Sequence, residues 1–463
     1  MANTGDTLSG IPTFPPDESG SDNTRLDAES AEDSAEKKDS TKTALDDFPE
    51  GGYGWVIVAA AIVINVVAIG EQITYGIFQR HYTAHQVFPG ATNLTVAIVG
   101  GVGVALLPGL GPLSGRLADR FGYARTAFIG GLIQALGYLL ASFSSTLWHI
   151  FLTQSFLVPL GWSLSYFPAM SVIPHWFLRR RGAVTGIVAA GCGAGGLVLA
   201  PTLQAIIDAS SFRWALRFLA AASGVCVCGA AVLIRTRFPS RPRGRVLDLS
   251  VFGNWTFTRL FLTTFVSCFG FFAPGFFLNS YAIDKLGASN SIASITLSIN
   301  AVGQSVGRVI WGLAAKRIGY LNLYVILQLV PGLLCWCLWA NATTLAVLLL
   351  FSFLFGMFAG GFVIINPLLI PDLFGYDQLA SILGMIFCGF APGIAAGPVI
   401  MGAILDGSAT THEVTNPDGS VGVVTERNYL TAIMVCGSFW IASLGFVGWL
   451  RFEKAGWKVW KRV

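Results

Sequence analysis

The chain has 463 residues, 54% of them hydrophobic and only 12% charged, with a mean hydropathy of +0.64. A soluble globular chain carries about 25% charged residues, so the composition speaks against a water-soluble enzyme. The charge is also uneven: residues 1–50 hold 13 acidic and four basic side chains, a net of −9, while the remainder is net +13. The first 50 residues form an acidic segment with too little apolar surface to fold, and it lacks the basic start and apolar core of a signal peptide.

A span needs about 20 apolar residues to cross the hydrocarbon core. Twelve runs qualify: 55–78, 94–114, 124–142, 147–170, 183–206, 214–234, 257–281, 290–313, 321–341, 344–366, 379–404 and 429–450. They fall into two sets of six, so the expected fold class is an all-α membrane protein with twelve transmembrane helices in two six-helix bundles. The expected parts are a disordered acidic cytoplasmic tail over 1–50, an N-terminal bundle over 51–234, a polar, basic linker over 235–256, a C-terminal bundle over 257–450 and a cytoplasmic tail over 451–463.

With a cytoplasmic N-terminus, the loops on that side carry 18 Lys and Arg against five on the other. The positive-inside rule then places both termini in the cytoplasm. The basic excess reads as membrane topology rather than nucleic-acid binding. Asn93-Leu94-Thr95 and Asn341-Ala342-Thr343 become glycosylation sequons on the outer face, where 406–428 is the one long connection. All eight cysteines lie in apolar runs, so neither a disulfide framework nor a zinc site is expected.

Between the second and third runs stands Gly115-Arg116-Leu117-Ala118-Asp119-Arg120-Phe121-Gly122-Tyr123-Ala124-Arg125. Glycines at both ends let a short loop turn tightly, and Asp119 among three arginines, beside a helix N-terminus, suits a breakable charge clamp. An echo with the same Gly-to-Gly spacing follows 197 residues later, from Gly312 through Lys316 and Arg317 to Gly319. Such a repeat is the internal symmetry of a transporter whose halves rock about a central site. The twelve-span layout and this signature resemble the major facilitator superfamily.

Two further segments narrow the likeness. Glu50-Gly51-Gly52-Tyr53-Gly54-Trp55 precedes the first run, and Trp176 to Gly186, followed by Ala190 to Gly196, enters the fifth. They resemble the paired signatures of the monocarboxylate porter family. With Asp248-Leu249-Ser250 and Gly397-Pro398 to Asp406, they resemble its fungal branch. Read from the residues alone, Gly186, Gly191, Gly195 and their neighbours give the fifth run a face without side chains, along which another helix can slide. The triplet ending in Arg181 anchors it at the anionic inner leaflet.

With Arg125 and Arg217 counted among the loops, three charged side chains lie within runs: Glu71, Arg259 and Arg308. Such residues are functional candidates by default. Arg259 is near enough to a membrane face to snorkel, whereas Arg308 lies deeper and can bind a carboxylate through two parallel hydrogen bonds. The resemblance implies the same, since Arg308 matches the arginine that monocarboxylate porters use on the substrate anion. The family's proton-linked aspartate and lysine positions hold Gln304 and fall near Ile73. Glu71 either titrates in their place or fixes packing. Asn65, Gln79, Tyr82, Asn279, Tyr281, Asn300, Gln304 and Asn366 are expected to face the cavity, because an unpaired amide in lipid is costly.

The expected function is secondary transport of a small organic solute, a monocarboxylate or other organic anion, by alternating access. A co-transported proton is the partner considered, and the plasma membrane is the location that the resemblance implies. No GxxxxGK[ST] loop appears, so ATP-driven pumping is disfavoured. No catalytic, cofactor or metal-binding cluster is expected. Alternatives on the same fold are efflux of a fungal secondary metabolite, uptake of a riboflavin-like solute, or nutrient sensing.

Overall fold

The computed structural model describes residues 49–85, 87–89, 92–238, 249–376, 378–408, 410–415, 421–426 and 428–456. The acidic tail to residue 48, linker residues 239–248, the chain beyond 456 and the side chain of Asn93 lie outside the described residues, together with the expectations placed on them.

Helices follow the apolar runs in order. Span 1 is Tyr53–Ala84, span 2 the pair Asn93–Gly109 and Gly111–Phe121, and span 3 Tyr123–Ser142. Span 4 runs through Leu147–Ile150, Phe151–Leu157 and Val158–Ser171; span 5 is Arg181–Ala209; span 6 joins Phe212–Ala222, Ser223–Val227 and Cys228–Leu233. Span 7 joins Trp255–Phe271 to Ala273–Leu286, span 8 is Asn290–Ile318, and span 9 joins Tyr320–Leu333 to Leu334–Trp339. Span 10 is Leu345–Phe374, span 11 joins Leu379–Cys388 to Phe390–Gly407, and span 12 is Tyr429–Ala455. Prolines sit at the interruptions, with Pro108 and Pro112 around the span 2 bend, Pro274 after the span 7 break and Pro392 after that of span 11. Each removes an N–H from the ladder and crowds the preceding turn.

Ten helices among the described residues are long and apolar enough to cross a membrane, and the span 2 pair, bent by 43°, makes eleven. Span 8 is the twelfth. At 29 residues it is about 43 Å long, but Asn300, Gln304 and Arg308 dilute its hydropathy. A helix with a polar face can lie in a bilayer only with that face against protein or a water-filled cavity. The last connection departs from the all-helical expectation: β1 Thr410–Thr415 pairs antiparallel with β2 Val421–Glu426 in the long loop before span 12.

Within the halves, span 1 lies along span 5, span 3 along span 4, span 7 along span 12 and span 8 along span 10. Two seams join the halves, span 2 against span 11 and span 5 against span 8. These are equivalent under the internal repeat, and this corrects the loop reading of the repeated motif. Gly115 and Gly312 do not turn a loop; both lie inside helices. A Cβ on Gly115 would collide with the backbone of Ala380, and one on Gly312 with that of Gly182. The turns are Gly122 and Gly319 alone, both at φ 94, a backbone region that glycine tolerates.

Span 5 also differs from expectation, since its glycines serve two faces. Gly182 and Gly186 meet Gly312 and Arg308 of span 8, whereas Gly191 and Gly195 meet Ile62 and Val66 of span 1. Arg181 is not a lipid anchor: it is 1% exposed, pairs with Asp372 at 2.8 Å and lies 5.0 Å over the Tyr320 ring. The charge lies inside a seam because span 10 ends with a carboxylate beside it. The two porter-like signatures meet at the start of span 5. There the Glu50 carboxylate accepts from the backbone N–H groups of Leu178 at 2.8 Å, Arg180 at 3.1 Å and Arg179, while Tyr53 and Trp176 lie 5.7 Å apart.

Candidate functional site: a cavity between the two halves

A cavity of about 530 Å³ lies between the halves and takes wall from both. Span 1 contributes Asn65, Ile69, Gln72 and Ile73, and span 8 contributes Leu297, Asn300, Ala301, Gln304, Ser305 and Arg308. On span 8 the polar groups follow one stripe at intervals of four residues, as a helix requires. They form a ladder. Asn300 Nδ2 donates to the Ser352 carbonyl at 3.0 Å, Gln304 Nε2 donates to Asn300 Oδ1 at 3.0 Å, and an Arg308 Nη2 hydrogen reaches toward Gln304 Oε1 at 3.5 Å. Gly303 and Gly307 let span 10 approach span 8 closely beside this ladder.

Arg308 is the single cationic side chain in this wall, and no Asp or Glu lines it. Among the described residues no carboxylate pairs with it. Its Nη1 donates to the Ala189 carbonyl at 2.9 Å and contacts Cys192 Sγ, both on span 5 of the opposite half, while Nε is buried without a partner. The facing wall is aromatic, made of Phe271, Phe272 and Phe276 of span 7 with Phe387 and Phe390 of span 11. An anion with an apolar body meets both its needs here, a planar guanidinium for the charge and rings for the rest.

Asn65, Asn300, Gln304 and Arg308 therefore line the cavity as expected from the sequence. The other polar candidates do not line it, and four of them find a partner inside their own half. Tyr82 accepts from Gln154 at 3.2 Å, Tyr281 donates to the Ala342 carbonyl at 3.0 Å, Asn279 accepts from Thr296 at 3.1 Å and Asn366 donates to Thr264 at 3.3 Å. Gln79 is likewise outside the wall. Glu71 lies behind it, 2% exposed, where its Oε2 accepts from Gln134 at 2.5 Å and Trp162 at 3.1 Å, and its Oε1 from Ser223 at 2.9 Å. Gln72, Tyr166, Cys192 and the phenylalanines were absent from the sequence candidates. An apolar ring facing a cavity carries no more sequence signal than one facing lipid.

The cavity is closed at one end. There Asp119 accepts from the Ser381 backbone N–H at 2.8 Å and its hydroxyl at 2.5 Å, capping the N-terminus of span 11, and Arg181 pairs with Asp372. Asp119 also accepts from Tyr123 at 3.1 Å. Arg120, Arg125 and Arg317 are exposed around this end. Arg259, at the same end of span 7, pairs with Glu453 and lies 5.5 Å from the Trp449 ring.

Two halves related by a repeat, seams at one end and a polar stripe at mid-span form the architecture of an alternating carrier. The sequence profile of the Major Facilitator Superfamily matches residues 51–256 and 260–414. The chain belongs to the Major Facilitator Superfamily. Its relatives include the uncharacterized transporter ESBP6 of Saccharomyces cerevisiae, 30% identical over 87% of this chain, of which the match spans 59% of the length. The human monocarboxylate transporter 11 is 28% identical over 77% of this chain and 78% of its own length. Among solved structures, the human organic anion transporter MFSD10 shares the fold with a TM-score of 0.65 at 14% identity, covering 86% of this chain and 99% of that one. The superfamily member described here thus has the family and fold of multi-pass membrane transporters of small organic solutes rather than of enzymes.

Proposed function

We propose that this chain is a secondary transporter of an organic monoanion with an apolar body, whose anionic group binds Arg308 and whose body lies against the phenylalanines of spans 7 and 11. The observation that carries the reading is a lone guanidinium in a cavity between two halves, with no carboxylate among the described residues paired to it. The volume suits a solute larger than a two-carbon acid, since pockets of roughly 300–1,000 Å³ hold drug-sized ligands. The human monocarboxylate relative supports the anion. The basic residues around the closed end support a cytoplasmic placement of that end and of both termini, and the family resemblance supports the plasma membrane as the location. An epitope at the N-terminus is then unreachable by antibody in intact cells.

Glu71 is the group we propose for proton coupling. Gln134, Trp162, Ser223 and Tyr138 surround it; among the described residues Tyr138 is the one titratable group in contact with it and no Lys, Arg or His is. With solute on Arg308 and a proton on Glu71, neither buried charge is left uncompensated. Either load alone leaves one, at a cost of several kcal/mol.

The test is uptake of radiolabelled pyruvate, lactate and phenylpyruvate into proteoliposomes, with and without an inward proton gradient. Saturable uptake favouring phenylpyruvate is expected, with Arg308→Ala lowering kcat/KM by about 10- to 100-fold, the worth of a charge-assisted hydrogen bond. Glu71→Gln is expected to abolish gradient-driven accumulation while sparing exchange of labelled for unlabelled solute. Uptake of every acid at the rate of protein-free vesicles overturns the reading and moves the assignment to an uncharged or larger metabolite.

A further inference from the structure

The solute-binding cation is also a tie between the halves. Arg308 belongs to span 8, yet its Nη1 is held by span 5 of the opposite half, through the Ala189 carbonyl at 2.9 Å and the thiol of Cys192. Both Cys192 and Arg308 line the cavity. Their backbones are brought together by glycines, since a Cβ on Gly186 would strike the Arg308 carbonyl and one on Gly193 the Ser305 hydroxyl. The guanidinium is nine-tenths buried, and its Nε has no partner. It is therefore held on one edge, with donor capacity left over.

Resting on the reading of Arg308 as the anion-binding group, we propose that Cys192 is a positioning residue that holds Arg308 in the empty carrier and yields it to the solute. Binding the solute and loosening span 8 from span 5 then become one event. The chemistry of the two acceptors sets the direction of exchange. A thiol sulfur is a weak acceptor, whereas a carboxylate takes a guanidinium through two parallel, charge-assisted bonds of roughly twice the neutral strength. An acidic side chain at position 192 would hold Arg308 whether or not solute arrived. An aliphatic one would hold it too little to compete.

Two measurements on the full chain in proteoliposomes, with phenylpyruvate as the probe, test the proposal. Cys192→Val removes the thiol acceptor without removing volume and leaves the Ala189 carbonyl in place. The expected result is a KM about threefold lower or more with an unchanged or lower kcat, a change opposite to that of a packing defect. Cys192→Asp is expected to abolish binding while the protein keeps the melting temperature of the wild type. In the wild type, phenylpyruvate is expected to slow alkylation of Cys192 by N-ethylmaleimide at least threefold, read on the Cys192 peptide by mass spectrometry, and to lose that effect in Arg308→Gln. A wild type that carries phenylpyruvate while Cys192→Val leaves KM unchanged or raised, or whose Cys192 alkylation ignores phenylpyruvate, overturns this proposal alone. A wild type that carries no anion overturns the underlying reading with it.

Discussion

Three arginines illustrate how little a residue's identity says without its neighbours. Arg259 meets an exposed glutamate and a tryptophan at a membrane face, Arg181 is buried against Asp372, and Arg308 has no acid beside it among the described residues. Only the last lines the cavity between the halves. Arg181 carries a further consequence, because its Nε and Nη1 are buried without partners and Asp372 is its one ion-pair partner among the described residues. Asp372→Asn leaves that charge uncompensated. Breaking a fully buried pair costs about 3–5 kcal/mol, and the half-exposed aspartate places this one below that range. Thermal melts in detergent are expected to fall by several degrees for Asp372→Asn, and the double variant Arg181→Met/Asp372→Asn to recover part of the loss because the orphaned charge is gone.

At the scale of elements, the glycine-rich helices act through the backbones they admit. A Cβ on Gly115 or Gly186 would collide with a main-chain carbonyl of the opposite half, at Ala380 or Arg308 respectively, whereas Gly76 and Gly229 have open space around them. Backbone cannot move aside as a flexible side chain can. Gly115→Val and Gly186→Val are therefore expected to lower transport at least tenfold by holding the seams apart, while Gly229→Ala leaves it unchanged. Uptake assays at matched protein amount check this. A collapse in yield equal for all three would point to span insertion instead of closure.

At the scale of the molecule, the closed end joins the halves through polar contacts at Asp119–Ser381 and Arg181–Asp372 beside the glycine-packed seams. Asp119 is central among them, since its carboxylate caps a helix N-terminus belonging to the other half. A carboxylate at that position interacts favourably with the helix dipole; an amide does so less. Asp119→Asn is expected to shift the population toward opening at that end. Cys388 reports it, because its thiol donates to the Gly109 carbonyl across the seam at 3.7 Å. Its alkylation rate is expected to rise several-fold in Asp119→Asn, and an unchanged rate would mean that the seam is held by packing alone.

Much of this was legible in one dimension. Span number, the division into two sets of six, and the candidacy of Arg308 all follow from the expense of polar groups in hydrocarbon, a local property that sequence displays directly. The repeated Gly-to-Gly motif was visible too, but its meaning was not. Gly115 and Gly312 read as turn residues until the seams placed each against the backbone of another half. Asn366 and Asn300 look alike along the chain, and only the fold decides that the first donates to Thr264 away from the cavity while the second lines it. The aromatic wall, the Arg308–Cys192 contact and the pairing of Glu50 with the start of span 5 join residues on different spans or more than 100 positions apart. Such neighbours are chosen by how helices pack, and packing is a property of the surfaces two helices present to each other, which neither helix carries in its own sequence.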